Sequence, residues 1–161
     1  NNIQQFECWK NGMTGFPIVD AGMRELLRTG RMHNRVRMIV ASFLTKDLLI
    51  DWKWGAQHFM QLLLDGDVAA NSGGWQWAAS TGCDPQPYFR IFNPWLQGKK
   101  FDPDGIYIKE YVSELRRYSA KEIHNPNSNL TKDGYPEPVV SHEESRLAAL
   151  KMFEEQKLKK K

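Results

Sequence analysis

The sequence predicts an all-α fold, and three observations support this prediction. Apolar residues recur three and four positions apart over several stretches, which is the spacing of one face of a helix. Residues that commonly start and stop helices flank these stretches. No stretch alternates apolar and polar residues as a half-buried strand does. The 161 residues, 41% of them hydrophobic, are enough to bury one core.

Helical spacing of apolar residues predicts four helices in the first half of the chain, over residues 18–29, 34–50, 54–64 and 68–80. Pro17 begins the first helix and Gly30 ends it. The second carries a broad apolar stripe, so we expect it to be largely buried. Asp67 is the predicted N-cap of the fourth, although Gly73 and Gly74 are unfavourable inside a helix.

The second half of the chain alternates irregular and helical segments. An irregular stretch is predicted over residues 82–105 and a helix over 106–117. A connector is predicted over 125–138 and a last helix over 141–158. The irregular stretch is rich in Pro, Gly and aromatic residues, which predicts a long ordered loop with little regular structure. Ser141 and Glu144 have the spacing of a capping box and so mark the start of the last helix.

Composition excludes several classes of protein and site. No run of 18 or more apolar residues occurs, so no membrane span is predicted. Cys8 and Cys83 are the two cysteines, and without CxxC spacing or a histidine cluster they predict neither a disulfide framework nor a metal site. A reducing compartment fits this usage best. The glycine-rich nucleotide loops, the HExxH zinc motif and the GxSxG nucleophile motif are all absent.

Charge is uneven along the chain although the net charge is only +3. Between positions 24 and 37, one acid, Glu25, stands among five arginines, at 24, 28, 31, 35 and 37. A local basic surface of this kind suits the phosphates of a nucleic acid. The alternative is a solvated helix face with scattered salt bridges.

Six segments in a fixed order carry a resemblance to a known family. They read FPIVDA at 16–21, MHNRVRM at 32–38, LLIDW at 48–52, DGD at 65–67, NSGGWQW at 71–77 and PYFRIFNP at 87–94. Together they resemble class I cyclobutane pyrimidine dimer photolyases, and the similarity covers nearly the whole chain. The resemblance implies an all-α FAD-binding domain that uses light to repair pyrimidine dimers in DNA.

The resemblance also implies which residues hold the flavin, namely Arg37, Asp65, Gly66, Asp67 and Asn71. The N5/O4 edge of a flavin gains negative charge on reduction, so a cation and hydrogen-bond donors there stabilise the reduced form. Arg37 and Asn71 match the positions near that edge, and Arg37 is expected to pair with Asp65. Standing alone, DGD would be read as a turn with a helix cap.

Two further sets of residues follow from the same resemblance. Trp52 and Trp75 match an electron-transfer chain of tryptophans, with Trp75 nearest the flavin; packing is the alternative role for tryptophans in a helical domain. The residues matched to the extruded dimer and to the DNA are Asn34, Arg35, Met38, Trp77, Arg90 and Gln97. For the two arginines alone, a surface salt bridge is an equally simple interpretation.

The branch of the family is indicated by a few positions. Asn34 and Met38 stand where (6-4) photolyases and animal cryptochromes carry histidines. Asn71 stands where plant cryptochromes usually carry aspartate, and plant cryptochromes also lack a match to Trp77. These residues favour dimer repair over the alternative function, a cryptochrome-like blue-light receptor. Arg31 departs from the family, because many relatives have a tryptophan at this position.

Residues 1–161 are expected to be the C-terminal part of the FAD-binding domain, with the N-terminal antenna domain and the first half of the FAD cradle absent. On that basis we expect the isolated chain neither to bind FAD tightly nor to repair DNA. The parent protein is expected to be an intracellular monomer, cytoplasmic if bacterial, with FAD as cofactor, DNA containing pyrimidine dimers as partner, and no membrane association.

Overall fold

The computed structural model describes residues 2–64, 75 and 91–159, and the side chains of these residues as far as 155. The α-helices of the described part are α1 (Ile3–Lys10), α2 (Pro17–Thr29), α3 (Asn34–Ser42), α4 (Trp52–Leu62), α5 (Pro94–Phe101), α6 (Ile106–Tyr111), α7 (Ala120–Ile123) and α8 (His142–Lys159). A π-helix (Phe43–Asp47) follows α3, and a 3-10 helix (Ser113–Leu115) follows α6. No strand occurs among these residues, which confirms the all-α class.

Helix α2 begins and ends as the sequence predicts. Pro17 occupies its first turn, and Gly30 ends it in the left-handed conformation at φ 70°, with its N–H donating to the Leu26 carbonyl. Gly22 lies where α2 meets α3. A Cβ atom at this position would stand only 2.5 Å from Cγ1 of Val36. The absence of a side chain therefore allows the two helices to pack closely.

The predicted helix over residues 34–50 is interrupted. The α-helix ends at Ser42 and continues as the π-helix, in which the Leu48 N–H donates to the Phe43 carbonyl at 3.0 Å. Leu49 then adopts a left-handed backbone at φ 54°, which ends the helical run. Helix α4 starts at Trp52, two residues earlier than predicted, because Asp51 caps it by accepting from the Lys53 N–H.

The predicted irregular stretch over residues 82–105 contains a helix, α5, that was not predicted from the sequence. Asn93 accepts hydrogen bonds from the N–H groups of the second and third residues of α5, and Pro94 occupies the first turn. These two features are a helix start signal that the surrounding Pro-rich composition obscured. The predicted helix over 106–117 is shorter than expected, since α6 ends at Tyr111 and only a 3-10 turn follows.

The remaining segments agree with the predictions from the sequence to different degrees. Helices α1 and α7 were not predicted, and the latter begins with a capping box between Ser119 and Glu122. The connector over 125–138 contains no helix, as expected. Helix α8 is confirmed, and the Glu144 N–H donates to Oγ of Ser141 over a long 3.5 Å. The predicted helix over 68–80 lies outside the described residues.

The core is built around Trp9, which is fully buried. Its indole Nε1 donates to the Val40 carbonyl at 3.1 Å, which joins α1 to α3. Its ring stacks on Phe59 of α4 with centroids 6.0 Å apart. One residue of α1 therefore contacts two other helices within the buried core. Among the described helices, none is both long and apolar enough to cross a bilayer.

Asp20 is a fully buried carboxylate that joins α2 to two loops. Its Oδ1 accepts from both the N–H and the hydroxyl of Thr14, at 2.8 and 2.7 Å, and its Oδ2 accepts from the Gly15 N–H and the Tyr135 hydroxyl. Burial raises the pKa of Asp20 to about 6, although the hydrogen bonds from Tyr135 and Thr14 act to lower it. The carboxylate thus fixes the 125–138 connector to the start of α2.

We predict that Asp20→Asn lowers the free energy of unfolding by about 1–3 kcal/mol, because the amide NH₂ would face groups that are themselves donors. Urea denaturation measures this loss. Since folding raises the pKa from 3.8 to about 6, the stability that protonated Asp20 contributes is present below pH 3.8 and is lost as the pH rises through 6. The variant should lack this part of the pH dependence.

Asp133→Asn is the matched control, because Asp133 pairs at the surface with Arg117, whose side chain is 81% exposed. This substitution should change stability by less than about 1 kcal/mol. Equal losses in the two variants would contradict the role assigned to Asp20.

Candidate flavin and DNA site

The turn between α2 and α3 is held by hydrogen bonds that fix the candidate site. The Thr29 hydroxyl donates to the Glu25 carbonyl at 2.8 Å and accepts from the Arg31 N–H at 3.0 Å. The Leu64 N–H donates to the Gly30 carbonyl at 2.9 Å, which ties the end of α4 to the same turn. These hydrogen bonds therefore fix the conformation of the turn that joins α2 to α3.

Four predicted site residues come together at the start of α3. His33 caps the helix by accepting from the Arg35 N–H, and both Asn34 and Arg35 are exposed in the first turn. Met38 is half-buried and lies one turn after Asn34 on the same face. Arg37 is also half-buried, and its Nε donates to the Met32 carbonyl at 2.8 Å. This bond orients the guanidinium toward the α2–α3 turn.

A cavity of about 590 Å³ opens at this turn. Its described lining residues are Glu25, Arg31, Met32, His33, Arg37 and Leu64. The volume is within the range of small-molecule sites, and the lining combines apolar and charged groups as such sites do. A guanidinium fixed at the wall suits an edge of a ligand that gains negative charge, so these residues fit the flavin expected from the sequence.

Trp75 is buried and lies directly against the backbone of α4. Its ring meets Phe59 edge-on at 4.9 Å and Trp9 edge-on at 5.8 Å between centroids. A Cβ atom at Gly55 would come within 2.3 Å of Cη2 of Trp75. The glycine therefore leaves room for the indole, and the aromatic neighbours fix its orientation.

Trp52 takes a different position. It is half-buried at the first residue of α4 and packs against the edge of the core. Within the part of the chain that the structure describes, no ring contact joins Trp52 to Trp75; the rings that touch Trp75 there belong to Trp9 and Phe59. The family motifs did not identify Trp9 as a neighbour of Trp75. The signal was the pair Phe6 and Trp9, which share one face of α1.

His58 adds an uncharged polar group beside this aromatic cluster. Its ring lies 5.7 Å from that of Trp9, and its buried Nε2 has no hydrogen-bond partner among the described residues. Burial, with a further contribution from the charge of Lys10, lowers the pKa of His58 to about 4. The imidazole is therefore neutral near pH 7, and the cluster around Trp9 keeps its low polarity.

The remaining predicted site residues are placed only in part. Gln97 is half-buried in the first turn of α5, and α5 approaches the start of α3 where the rings of Phe101 and His33 lie 5.4 Å apart. The other predicted residues, Asp65, Gly66, Asp67, Asn71, Trp77 and Arg90, lie outside the described residues, as does the expected pair between Arg37 and Asp65. The described side chains form no cluster of three or more groups suited to a metal ion.

We predict that Gly55→Ala displaces Trp75, because the new methyl group would stand 2.3 Å from the indole and 2.7 Å from Cδ2 of Leu44. Overpacking of this kind lowers stability by about 1–3 kcal/mol. Urea denaturation measures the loss, and tryptophan fluorescence reports the movement of the ring.

Gly134→Ala is the control, because no atom lies within 4 Å of the position that its Cβ would occupy. Its cost arises only from the backbone φ of 92°, and its tryptophan fluorescence should match that of the unchanged protein. If Gly55→Ala left both stability and fluorescence unchanged, the packing described for Trp75 would be wrong.

Comparisons with known proteins show the family to which the chain belongs. A family model described as the FAD binding domain of DNA photolyase matches residues 1–155. Curated relatives named deoxyribodipyrimidine photo-lyase include one from Vibrio cholerae, 57% identical over 159 residues, and one from Escherichia coli, 54% identical over 158. The first match covers 95% of this chain and 33% of the relative, and the second covers 96% and 34%. The chain thus spans about a third of the length of these relatives.

Solved structures of photolyases and of a cryptochrome are also similar to this chain. A bacterial class III photolyase from Agrobacterium tumefaciens superposes with a TM-score of 0.88 at 50% identity, over 96% of this chain and 34% of that chain. An archaeal photolyase from Sulfolobus tokodaii, described with two FAD molecules, gives 0.90 at 47%, over 96% and 36%. A cryptochrome from Synechocystis gives 0.87 at 42%, over 93% and 33%. From its sequence and its fold together, the chain belongs to the family of the FAD-binding domain of DNA photolyase.

Proposed function

We propose that the protein to which this chain belongs repairs cyclobutane pyrimidine dimers in DNA, using light and FAD. The observation that carries the proposal is the joint placement of Asn34, Arg35, Arg37 and Met38 around the first turns of α3, beside a cavity of ligand size. The relatives named deoxyribodipyrimidine photo-lyase support it. When bound, FAD supplies the electron that splits the cyclobutane ring and takes that electron back afterwards.

Arg37 is the proposed electrostatic partner of the cofactor. Its bond to the Met32 carbonyl holds the side chain in place before any ligand arrives, so no reorganisation is needed when negative charge develops beside it. Asn71 is proposed to donate to the same edge, and Asp65, Gly66 and Asp67 are proposed to complete the flavin contacts. Together these groups would favour the reduced cofactor.

The dimer and its DNA strand are proposed to bind at the exposed start of α3. Met38 offers an apolar surface one turn away from Asn34, which offers a hydrogen-bonding amide, and an extruded dimer needs both kinds of contact. Trp77 is the proposed stacking partner. The proposed contacts to the DNA backbone are Arg35, Arg90 and Gln97. An exposed guanidinium such as that of Arg35 is free to pair with a phosphate.

Trp75 and Trp52 are the proposed electron donors that return the cofactor to its reduced state. Trp75 is buried and held on two sides by Trp9 and Phe59, so its ring is kept at a fixed position in a water-poor environment. Trp52 is half-buried and stands nearer to solvent. An electron lost by Trp75 would then be replaced from Trp52.

The second candidate function is a cryptochrome-like blue-light receptor, which the similarity to the Synechocystis cryptochrome favours. Asn71 and Trp77 favour repair over this alternative, because plant cryptochromes usually carry aspartate at the first position and lack a match to the second; Asn34 and Met38 likewise differ from the histidines of animal cryptochromes. We further propose that the protein acts as a monomer inside the cell, on DNA containing pyrimidine dimers, and that its class is class I. This chain would be the C-terminal part of its FAD-binding domain.

We predict that Trp75→Phe or Trp52→Phe in the FAD-bound parent protein slows photoreduction of the cofactor by at least about tenfold, because phenylalanine is much harder to oxidise than tryptophan. Absorbance changes after a blue-light flash measure this rate. Trp54→Phe is the control, because Trp54 contacts Phe6 rather than Trp75.

When the cofactor is reduced chemically beforehand, all three variants should repair a thymine-dimer oligonucleotide in light and not in darkness. Chemically reduced protein that shows no light-dependent repair would favour the receptor instead.

We predict that Arg35→Ala weakens DNA binding and makes the slope of log K against log salt concentration shallower by about 1, because one phosphate contact is lost. Fluorescence anisotropy of a dimer-containing duplex at several salt concentrations measures this slope. Arg117→Ala is the control, since Arg117 is highly exposed but pairs with Asp133 at 3.0 Å. An unchanged slope for Arg35→Ala would remove this residue from the proposed DNA contacts.

A further inference from the structure

Helix α8 is joined to the π-helix by a buried pair of titratable side chains. Nδ1 of His142, the first residue of α8, lies 2.5 Å from Oδ2 of Asp47, the last residue of the π-helix. The side chain of Asp47 is fully buried, and that of His142 is 8% exposed. Oδ1 of Asp47 has no hydrogen-bond partner among the described residues, so the hydrogen bonding of this carboxylate depends on His142.

The other side chains of α8 bury little apolar surface. Those that are buried in the described part of the helix are small, namely Ser145 and Ala149. Leu150 and Phe153 are half-buried, and Leu147 is 63% exposed. Since the stabilisation from apolar contacts scales with the area removed from water, the docking of α8 depends strongly on the pair.

A cavity of about 600 Å³ gives the pair access to protons. The cavity lies where α2, α5 and α8 begin, and its lining includes Phe16, Asn93 and His142. Because Nδ1 of His142 is engaged with Asp47, Nε2 is the ring nitrogen that can exchange a proton with the cavity. The pair is therefore buried in the fold and still able to gain or lose a proton.

The charge state of the pair is set by burial and by the two partners themselves. Burial raises the pKa of Asp47, while the hydrogen bond and the charge of His142 lower it. Lys46 precedes Asp47 on the π-helix, and burial lowers its pKa to about 8. The charged residues beside His142 on α8 are exposed: Glu143, Glu144 and Arg146. The described residues that line the cavity from α2, α5 and the chain before α8 are uncharged: Phe16, Asn93, Trp95, Pro126, Asn127, Pro138, Val140 and Ser141.

We propose that His142 and Asp47 form a pH-dependent latch, which holds α8 on the π-helix while the pair is neutral overall and releases it when the pair loses or gains a proton. Loss of a proton leaves a buried carboxylate without a counter-charge, and gain of a proton leaves a buried imidazolium without one. Either state disfavours burial, so the docking of α8 should be strongest between the two titrations of the pair. The inference is independent of the proposed function.

The two partners carry charges of opposite sign, so removing one or the other should reverse the pH dependence. In His142→Gln the remaining titratable group is Asp47, whose pKa is raised by folding. Its contribution to docking is present when it is protonated and is lost as the pH rises, so α8 should dock more firmly at low pH. In Asp47→Asn the imidazole is the group that titrates, so α8 should dock less firmly at low pH.

The test measures amide hydrogen exchange in the intact, FAD-bound parent protein between about pH 4 and 9, where carboxylates and imidazoles titrate. Each exchange rate is divided by that of an unstructured peptide of the same sequence at the same pH, which removes the intrinsic pH dependence of exchange. The protection of α8 should pass through a maximum and fall by at least about tenfold on each side. Helix α6 is the internal reference and should change clearly less.

Three variants and a control complete the experiment. The protection of α8 should rise as the pH falls in His142→Gln and decrease as the pH falls in Asp47→Asn. The double variant has neither titratable group, so its protection should follow that of α6. His124→Gln is the matched control, because Nε2 of His124 contacts the backbone carbonyl of Asp102 at 2.7 Å rather than a carboxylate. This control should keep the maximum of the unchanged protein.

Opposite slopes in the two single variants support the latch even where one variant is less stable, because the sign of a slope does not depend on overall stability. If one single variant does not fold, the other and the double variant still decide. Protection of α8 that follows α6 at every pH in the unchanged protein would overturn the inference, as would slopes of the same sign. A double variant that retains the maximum would also overturn it, and in each case the proposed function would stand.

Discussion

The close approach of α2 and α3 is the constraint on which the candidate site depends. Gly22 permits it, because any side chain there would collide with Val36. Only four residues, 30–33, join the two closely packed helices, and Arg31 of this turn and Arg37 of α3 line one cavity. The close contact between Gly22 and Val36 thus helps to position Arg31 and Arg37, although neither arginine takes part in that contact.

A second set of contacts keeps the aromatic part of the site dry and fixed. Trp9 joins α1 to α3 through its bond to the Val40 carbonyl and also supports Trp75, which lies on the backbone at Gly55. Every ring in this group contacts another ring or a backbone surface, so little room remains for water. A buried indole held in this way suits electron transfer, since a fixed distance and a water-poor environment limit the reorganisation that accompanies loss of an electron.

The sequence predicted the helical class and the bounds of α2 well, because Pro17 and Gly30 are strong local signals. Prediction from the sequence failed where tertiary contacts, rather than local residues, determine the conformation of the backbone. The change to a π-helix after Ser42 has no local signature, and the Pro-rich composition obscured the Asn93 cap of α5. At the site, family motifs identified Arg37 and Trp75, whereas no motif marked Glu25, whose carboxylate accepts a hydrogen bond from the Tyr107 hydroxyl 82 positions away along the chain.

A crystal structure of the FAD-bound parent protein is the most direct test of this account. The account predicts that the isoalloxazine ring lies beside the α2–α3 turn, with the guanidinium of Arg37 within hydrogen-bonding distance and Trp75 as the nearest tryptophan. A flavin bound away from this turn, or one with Trp75 on the far side of the core, would contradict the assignment of the site.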